Sequence, residues 1–592
     1  MDFNNYFYLP FIVGAICFFA VIIVRFSIWG YNLSRIDKLR IIKKFFSRIT
    51  LGSVVQAFKE GLLHISIFKK NRVLGYMHMS LAFGWFLLIL FGHLEAVLFN
   101  NSLNIPPQES IFFRFFVLEK PDTMLMKTFA FLMDFILLFI LSGVILAYIK
   151  RFRAKVFGMK KTTNLNFFDK LALSSLWLIF PLRFLAETFT AGLYNNGSFI
   201  SNSFGKLFSS AINLELVINP LWFGYSLSLG LFLIALPFSR YMHIPTEILF
   251  IFLRNYGIKL KKKINSYSRI QVCACSRCGI CLDACQLNNA EIKTTQSVYV
   301  LKHIRNKSLT DEVMFNCLLC GKCQQVCPVG IEINDLRITQ RIETTKQYNS
   351  EYDFLKDEVA KKTDIIYFAG CMTHLTPAIK KSMISILDYS KVNYWFLDEE
   401  KAPCCGRPLM QAGQYDAAEK LINNNQKLII DSGAKTIVVS CPICYTVFKE
   451  DYHLANVKIK QHSEFILELI AEGKINPIKG DDKIVYHDPC ELGRVNKIYD
   501  EPRQLLNNYV NLIEIKEQKE ESLCCGGSLA NIKIQNSERK QISDSALDVF
   551  LKYKPDYIAT SCPLCKKTFS KSNKIKVHDI SEIVAKNLEN AV

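Results

Sequence analysis

Eight cysteines between residues 275 and 327 constrain this chain more than any other feature. They read Cys275-x2-Cys278-x2-Cys281-x3-Cys285 and, after thirty-one intervening residues, Cys317-x2-Cys320-x2-Cys323-x3-Cys327-Pro328. Runs of four thiolates at these spacings hold cubane [4Fe–4S] clusters. A structural zinc is closed by four ligands, usually as two short Cys-x-x-Cys pairs, and two runs of four thiols do not match it. Residues 264–345 are therefore expected to form a dicluster domain.

The double run resembles the bacterial two-cluster ferredoxins and implies their exchange of the fourth ligand. Cluster one then uses Cys275, Cys278, Cys281 and Cys327, and cluster two uses Cys317, Cys320, Cys323 and Cys285. The first run departs at Gln286, where the proline after the fourth Cys is absent; this loosens one turn without removing a ligand. Cys273 is a ninth thiol here, read as a packed bystander.

Of the twenty cysteines, all but Cys17 and Cys273 fall in closely spaced Cys groups or at fixed distances from them. Metal ligation explains that better than disulfides, and thiolate-bound clusters suit a reducing cytoplasm. The net charge of +19 does not mark a nucleic-acid binder, because much of the basic excess lies beside and between long apolar runs. Five spans are expected, at about Tyr6–Val24, Val73–Phe99, Met124–Ile149, Phe168–Tyr194 and Leu214–Phe238. The first has no small-residue cleavage site after it and reads as a retained anchor. Residues 31–72 carry ten Lys and Arg against two acids, and further basic runs follow at Lys150–Lys155, Lys160, Lys161 and Lys259–Lys263. The loops at 100–123 and 195–213 are near neutral. The positive-inside rule then puts the N-terminus outside the cell's inner membrane and everything after the fifth span in the cytoplasm.

A b-type haem needs two facing imidazoles. His78, at the start of the second span, and His243, which ends the fifth, stand at matching depth on the cytoplasmic side and are expected to hold one haem. His93 lies fifteen residues past His78, about 22 Å along a helix; the position facing it on the fifth span is Tyr225, which cannot complete a second haem. Gly92-His93 and Pro237-Phe238-Ser239-Arg240-x2-His243 resemble the membrane gamma subunit of respiratory nitrate reductase, which implies a cytochrome b fold for residues 1–255. His64 is an alternative ligand, though a surface role suits it better. Asp134, Arg183 and Glu187 are ionisable positions inside spans, and Arg183 with Glu187 can pair four residues apart. Their functional readings are propionate contact or a quinone proton path, with His93 and Glu95 a second such site.

After a charged, helical linker at about 341–362, one pattern occurs twice. Cys371, Cys404-Cys405-Gly406 and Cys441-Pro442-Ile443-Cys444 recur as Cys490, Cys524-Cys525-Gly526 and Cys562-Pro563-Leu564-Cys565, offset by 119 to 121 residues. Short apolar runs before several of these groups read as buried parallel strands, with the thiols at their carboxyl ends. Two tandem α/β domains are expected, at 363–475 and 480–592. Five Cys per copy exceed the need of a cubane cluster or a tetrahedral zinc. The pattern resembles the catalytic subunit of heterodisulfide reductase and related iron–sulfur subunits, including membrane oxidoreductases for electron-transferring flavoprotein. That resemblance implies one or two noncubane [4Fe–4S] clusters, with Cys490, Cys524, Cys525, Cys562 and Cys565 as the catalytic terminus. His374 and His487 are candidate proton donors to cluster-bound sulfur, although packing beside the ligands is the commoner role.

The expected architecture is a five-span α-helical membrane bundle, a ferredoxin-like α-helical dicluster domain and two tandem α/β cysteine-rich domains. The expected activity is electron exchange between menaquinone and a cytoplasmic flavoprotein through haem b and the clusters. A quinone-coupled thiol–disulfide oxidoreductase and a non-catalytic relay subunit of a separate dehydrogenase are the alternatives. No Gly-x-Gly-x-x-Gly fingerprint or flavin motif occurs, so hydride transfer by this chain is not expected.

Overall fold

A computed structural model describes residues 6–119, 123–153, 165–210, 212–260, 262–348, 352, 359–400, 403–529 and 533–589. Part of the basic run at Lys150–Lys155, with Lys160, Lys161 and Lys261, and residues 349–351 and 353–358 of the linker predicted at 341–362 lie outside the described residues. The chain forms two units: residues 1–260 with 265–283 and 328–331, and residues 261–264 with 284–327 and 332–592.

The first unit contains five helices long and apolar enough to cross a membrane: Leu9–Tyr31, Arg72–Asn100, Met124–Phe152, Phe167–Tyr194 and a fifth over Leu214–Phe238. Local chemistry sets their ends. Asn71 caps the second through Leu74 N, Thr123 caps the third through Met126 N, and Asn166 with Asp169 forms a capping box on the fourth; such caps satisfy N–H groups left open at a helix start. The first and fifth helices approach closely at Gly14 and Gly230, where a Cβ on Gly14 would come within 2.6 Å of Gly230 backbone. Only glycine permits that separation.

Beyond the fifth helix the chain differs from a simple span ending at His243. Regular α-helix stops at Ala235, two 3-10 turns follow at Leu236–Phe238 and Arg240–Met242, and His243 opens a new helix, His243–Asn255. Pro237 lacks the N–H that would continue the ladder. The basic stretch after the first span is helical at Arg35–Phe45, Arg48–Ala57 and Ile65–Lys70. It is tied to the His243–Asn255 helix by Asn255 Nδ2, which donates to Ser53 Oγ at 3.0 Å and to Gln56 Oε1 at 2.9 Å.

The second unit holds two four-stranded, all-parallel sheets. In the first, β1 (Ile365–Phe368), β2 (Trp395–Phe396), β3 (Thr436–Val439) and β4 (Lys458–Gln461) lie in the order β2-β1-β3-β4. In the second, β5 (Lys483–His487), β6 (Asn511–Leu512), β7 (Tyr557–Thr560) and β8 (Val577–Asp579) repeat it as β6-β5-β7-β8. β1 pairs with β3 from Ile365 opposite Thr436 to Phe368 opposite Val439. These strands are apolar on both faces, as expected of parallel strands covered by helices. In each sheet the strand order reverses between the two central strands, and sites in open α/β sheets form at that switch point, beyond the strand carboxyl ends.

Candidate metal centres

Each repeat gathers its five cysteines at that switch point. In the first, Cys371 follows β1 and opens the short helix Cys371–His374, while Cys441 follows β3 and precedes the helix Pro442–Glu450. Gly370, at φ +83°, makes the turn, and a Cβ there would stand 2.8 Å from Cys444 Sγ. Cys405 shares hydrogen bonds with Cys404 and Cys444, and Cys444 shares one with Cys441. Burial pushes the Cys371 thiol up to about 12, and the neighbouring Cys441 and Cys405 sulfurs push the same way. Sulfurs this crowded cannot all ionise in a low-dielectric site without a cation among them. An iron core supplies that cation and displaces the protons, so the donor set fits one.

The second repeat reproduces the arrangement. Cys525 hydrogen-bonds with Cys524 and Cys565, Cys524 with Cys490, and Cys562 with Cys565. Cys524, Cys525, Cys562 and Cys565 are buried and Cys490 is partly exposed, whereas in the first repeat Cys405, Cys441 and Cys444 are buried and both Cys371 and Cys404 are partly exposed. The two histidines singled out in the repeats have separate surroundings. His374 Nε2 meets Asp398 Oδ2 at 3.1 Å, and Asp398 accepts from Ala369 N and Gly370 N, which fixes the turn into Cys371. His487 lies beside Cys525 and Cys565 rather than beside Cys490, with the three ligand atoms within 4.8 Å of one another.

Cluster two's predicted ligands also converge. Burial drives the Cys285 thiol well above its ordinary value, and Cys320, Cys323 and Cys317 beside it add to the shift. Cys323 is pushed up to about 12 by burial, with Cys317 and Cys320 as its neighbours. These thiols touch the second repeat directly, since Cys320 and Cys524 share a hydrogen bond. Gln286 is a docking residue, not merely a missing proline: its Nε2 donates to Cys524 O at 3.3 Å and its Oε1 accepts from Cys524 N. Proline offers neither bond. Arg494, which belongs to no motif in the sequence, donates from Nε to Cys320 O and from Nη1 to Ser522 O, each at 2.7 Å. Burial opposes its charge, but the Cys320, Cys490 and Cys524 sulfurs outweigh that and raise its pKa. Its Nη2 is buried with no hydrogen-bond partner among the described residues, as suits a donor facing an anionic cluster.

The far side of the second repeat meets the first, where Cys562 and Cys441 share a hydrogen bond. The thiols thus run in the order cluster two, second repeat, first repeat. The second repeat, expected from the sequence to be the catalytic terminus, has Cys320 on one side and Cys441 on the other.

In the first unit, His64, His78 and His243 line one cavity of about 290 Å³, open mouth included, with Glu60, Ile67, Glu247, Ser276, Pro328 and Val329. Most of that volume is open mouth; the enclosed part, about 10 Å³, is room for about one water. His78 Nδ1 lies 2.9 Å from Leu74 O and His243 Nδ1 lies 2.8 Å from Arg240 O. Such bonds favour the tautomer whose lone pair is on Nε2, the form that ligates metal. The donor chemistry therefore fits a bis-imidazole haem. His64 packs its ring 5.4 Å from that of His78 instead of lying at the surface, and burial lowers its pKa to about 4. Burial raises the Glu247 carboxyl to about 8, with Glu60 acting in the same sense. Ser276, which directly follows Cys275, is one of the lining residues. The loop is held there by Arg277 Nη1, 2.6 Å from Asp169 Oδ2 with both side chains buried. Asp169 Oδ1 also accepts from Arg240 N at 2.7 Å, three residues before His243. Lys150 Nζ donates to Cys278 O at 3.4 Å.

At the other end of the bundle the intramembrane charges are paired. Arg183 Nε meets Glu187 Oε1 at 2.8 Å as predicted from spacing, and Arg114, from the loop after the second span, joins Asp134 at 2.6 Å and Glu187 at 3.3 Å. Tyr225 receives a hydrogen bond from Arg183 Nη1 at 3.2 Å and packs against Phe112 and Trp222. His93 Nδ1 lies 3.0 Å from Ser110 Oγ.

Comparison with known proteins bears on these centres. Residues 365–449 and 484–570 match the cysteine-rich domain family, and residues 274–332 match the 4Fe-4S dicluster domain. The chain therefore carries two cysteine-rich domains and a dicluster domain, and its thiols hold iron–sulfur clusters. It is 30% identical over 256 residues to the EtfAB:quinone oxidoreductase of Syntrophomonas wolfei, covering 40% of this chain and 36% of that protein. It is 26% identical over 401 residues to a subunit of the dihydromethanophenazine:CoB–CoM heterodisulfide reductase of Methanosarcina barkeri, covering 55% of this chain and 96% of that one. A probable iron–sulfur-binding oxidoreductase of Bacillus subtilis, FadF, is 25% identical over 47% of each chain. The chain spans about a third of the first of these relatives and about half of the last.

Proposed function

We propose that this chain, an iron–sulfur protein related to those oxidoreductases, exchanges electrons between menaquinone in the cell's inner membrane and a cytoplasmic flavoprotein of the electron-transferring type. The observation that carries this reading is the unbroken row of thiols from Cys285, Cys317, Cys320 and Cys323 through Cys524 and Cys562 to Cys441. The relative named EtfAB:quinone oxidoreductase supports the choice of both partners.

In this reading Cys275, Cys278, Cys281 and Cys327 hold one cubane cluster, Cys317, Cys320, Cys323 and Cys285 a second, and the five thiols of each repeat a noncubane cluster; His78 and His243 hold one b-type haem. When bound, these groups supply one-electron carriers. The protein's own residues do the rest. Arg494 lowers the cost of negative charge between cluster two and the second repeat, while Gln286 fixes their spacing. Asp169 and Arg277 clamp the Cys275 loop against the histidine cavity. Burial of Cys524, Cys525, Cys562 and Cys565 keeps water from the middle of the row, and the partly exposed edge of Cys371 and Cys404 faces the soluble partner. Five apolar helices with basic flanks support a membrane location, with the cysteine domains in the cytoplasm.

Purified full-length chain in lipid nanodiscs, given reduced electron-transferring flavoprotein, should reduce a menaquinone analogue; no quinone reduction refutes the assignment. A disulfide reductase is the second reading, favoured by the contact of Cys441 with Cys562, which sets two centres side by side. Turnover on a panel of disulfides without turnover on flavoprotein would select it.

A further inference from the structure

His487 ends β5 with its side chain turned into the second repeat. It is 1% exposed, and neither ring nitrogen has a hydrogen-bond partner among the described residues. Leaving a buried polar group unpaired is destabilising, so a native protein that keeps two on one ring needs a reason for them. The surroundings supply no protein partner. The ring stands edge-on to Phe569 at 4.9 Å and 85°, with Phe550 at 5.8 Å.

The first repeat shows what the same position looks like without a nitrogen. Its counterpart, at the offset of 119 that relates Cys371 to Cys490, is Phe368. Phe368 stands edge-on to Phe448 at 5.0 Å and 78°, as His487 does to Phe569. The pocket is built for an aromatic ring in both copies, so phenylalanine satisfies the packing. Only the second copy replaces it with an imidazole, and only there do a ring nitrogen and the sulfurs of Cys525 and Cys565 lie within 4.8 Å of one another. Metal–sulfur and metal–nitrogen bonds of about 2.3 and 2.0 Å bring such a trio to a common centre after small side-chain adjustments.

We propose that His487 is a nitrogen ligand of the iron–sulfur cluster in the second repeat, joining Cys490, Cys524, Cys525, Cys562 and Cys565. The two repeats then hold unlike centres, one ligated by sulfur alone and one by sulfur and imidazole. The proposal rests on the iron–sulfur reading of that repeat.

The test is pulsed EPR on the reduced full-length chain, with iron and zinc quantified on the same sample. His487→Phe copies the first repeat and preserves the packing. The expected result is a directly coordinated nitrogen coupling in one cluster signal, shifted by ¹⁵N-histidine labelling and absent in His487→Phe. A full iron complement with identical nitrogen couplings in the two proteins overturns the ligand assignment alone. Zinc in place of iron in the second repeat overturns that assignment together with the reading beneath it.

Discussion

Replacing Asp169 by alanine should loosen the loop that carries Cys275 and Cys278. The pair it forms with Arg277 is 2.6 Å long, with the two side chains 0% and 2% exposed. At an effective dielectric near 20, opposite charges so close attract by several kcal/mol. Removing one member of a buried pair strands the other and costs about 3–5 kcal/mol. Asp169 also accepts from the backbone N–H groups of Arg240 at 2.7 Å and Asn166 at 3.1 Å, so the upper part of that range applies. At 1.4 kcal/mol per decade, the opening equilibrium of residues 265–283 should shift by roughly three to three and a half orders of magnitude. Hydrogen exchange reads it directly, as loss of protection by that factor in the helix Ser266–Cys273. Arg277→Ala should cost less, because Asp169 keeps two backbone donors. The double variant should lie well above the sum of the singles in protection, since neither charge is then stranded. Protection within tenfold of wild type in Asp169→Ala, or additive single effects, would refute the clamp.

His78→Ala and His243→Ala should each abolish haem b absorbance while the cluster signals remain, and His64→Ala should retain the band; an unchanged spectrum in either of the first two removes the haem assignment. Cys525→Ala should alter one cluster's paramagnetic signal and stop turnover with soluble partners while haem stays reducible by quinol, and normal turnover would make the second repeat structural. Gln286→Pro should loosen the second repeat from cluster two, because it deletes both bonds to the Cys524 backbone, each worth about 1 kcal/mol; the midpoints of the two centres should become independent in a redox titration. Iron analysis should give four clusters' worth plus one haem, or about seventeen atoms per chain, whereas iron for two clusters with zinc in the duplicated half contradicts the account.

Covalent spacing is the most legible layer of this sequence. Eighteen cysteines at fixed separations announce thiolate clusters because ligand geometry tolerates few alternatives, and the near-constant offset of 119 to 121 residues exposes the duplication that the two parallel sheets reproduce. The five apolar helices are equally plain, since a span leaves a length and composition signature. Pairing at a distance leaves no such trace. Asp169 reads as a helix-start residue, which it is through its capping box with Asn166, but its second carboxylate oxygen reaches Arg277, 108 residues away. Arg114 sits in a near-neutral loop that gives no hint that it neutralises Asp134 and Glu187. Gln286 reads only as a missing proline, because its two bonds to Cys524 cross 238 residues. The order of the repeats is also hidden: chain order puts the first repeat nearer the dicluster segment, whereas Cys320 touches Cys524 of the second. His243 shares a cavity with His78 as expected, but Pro237 places it on a new helix instead of on the fifth span.

The most direct measurement is one in which the row of thiols must conduct. Full-length chain in nanodiscs, reduced anaerobically and then mixed with a menaquinone analogue, should show the visible cluster absorbance and the haem b band both reoxidise in a single mixing experiment. His243→Ala should stall the clusters in their reduced state. Clusters that stay reduced in the wild-type protein, or that reoxidise at an unchanged rate in His243→Ala, would contradict the proposed path from the thiols to the quinone through the histidine cavity.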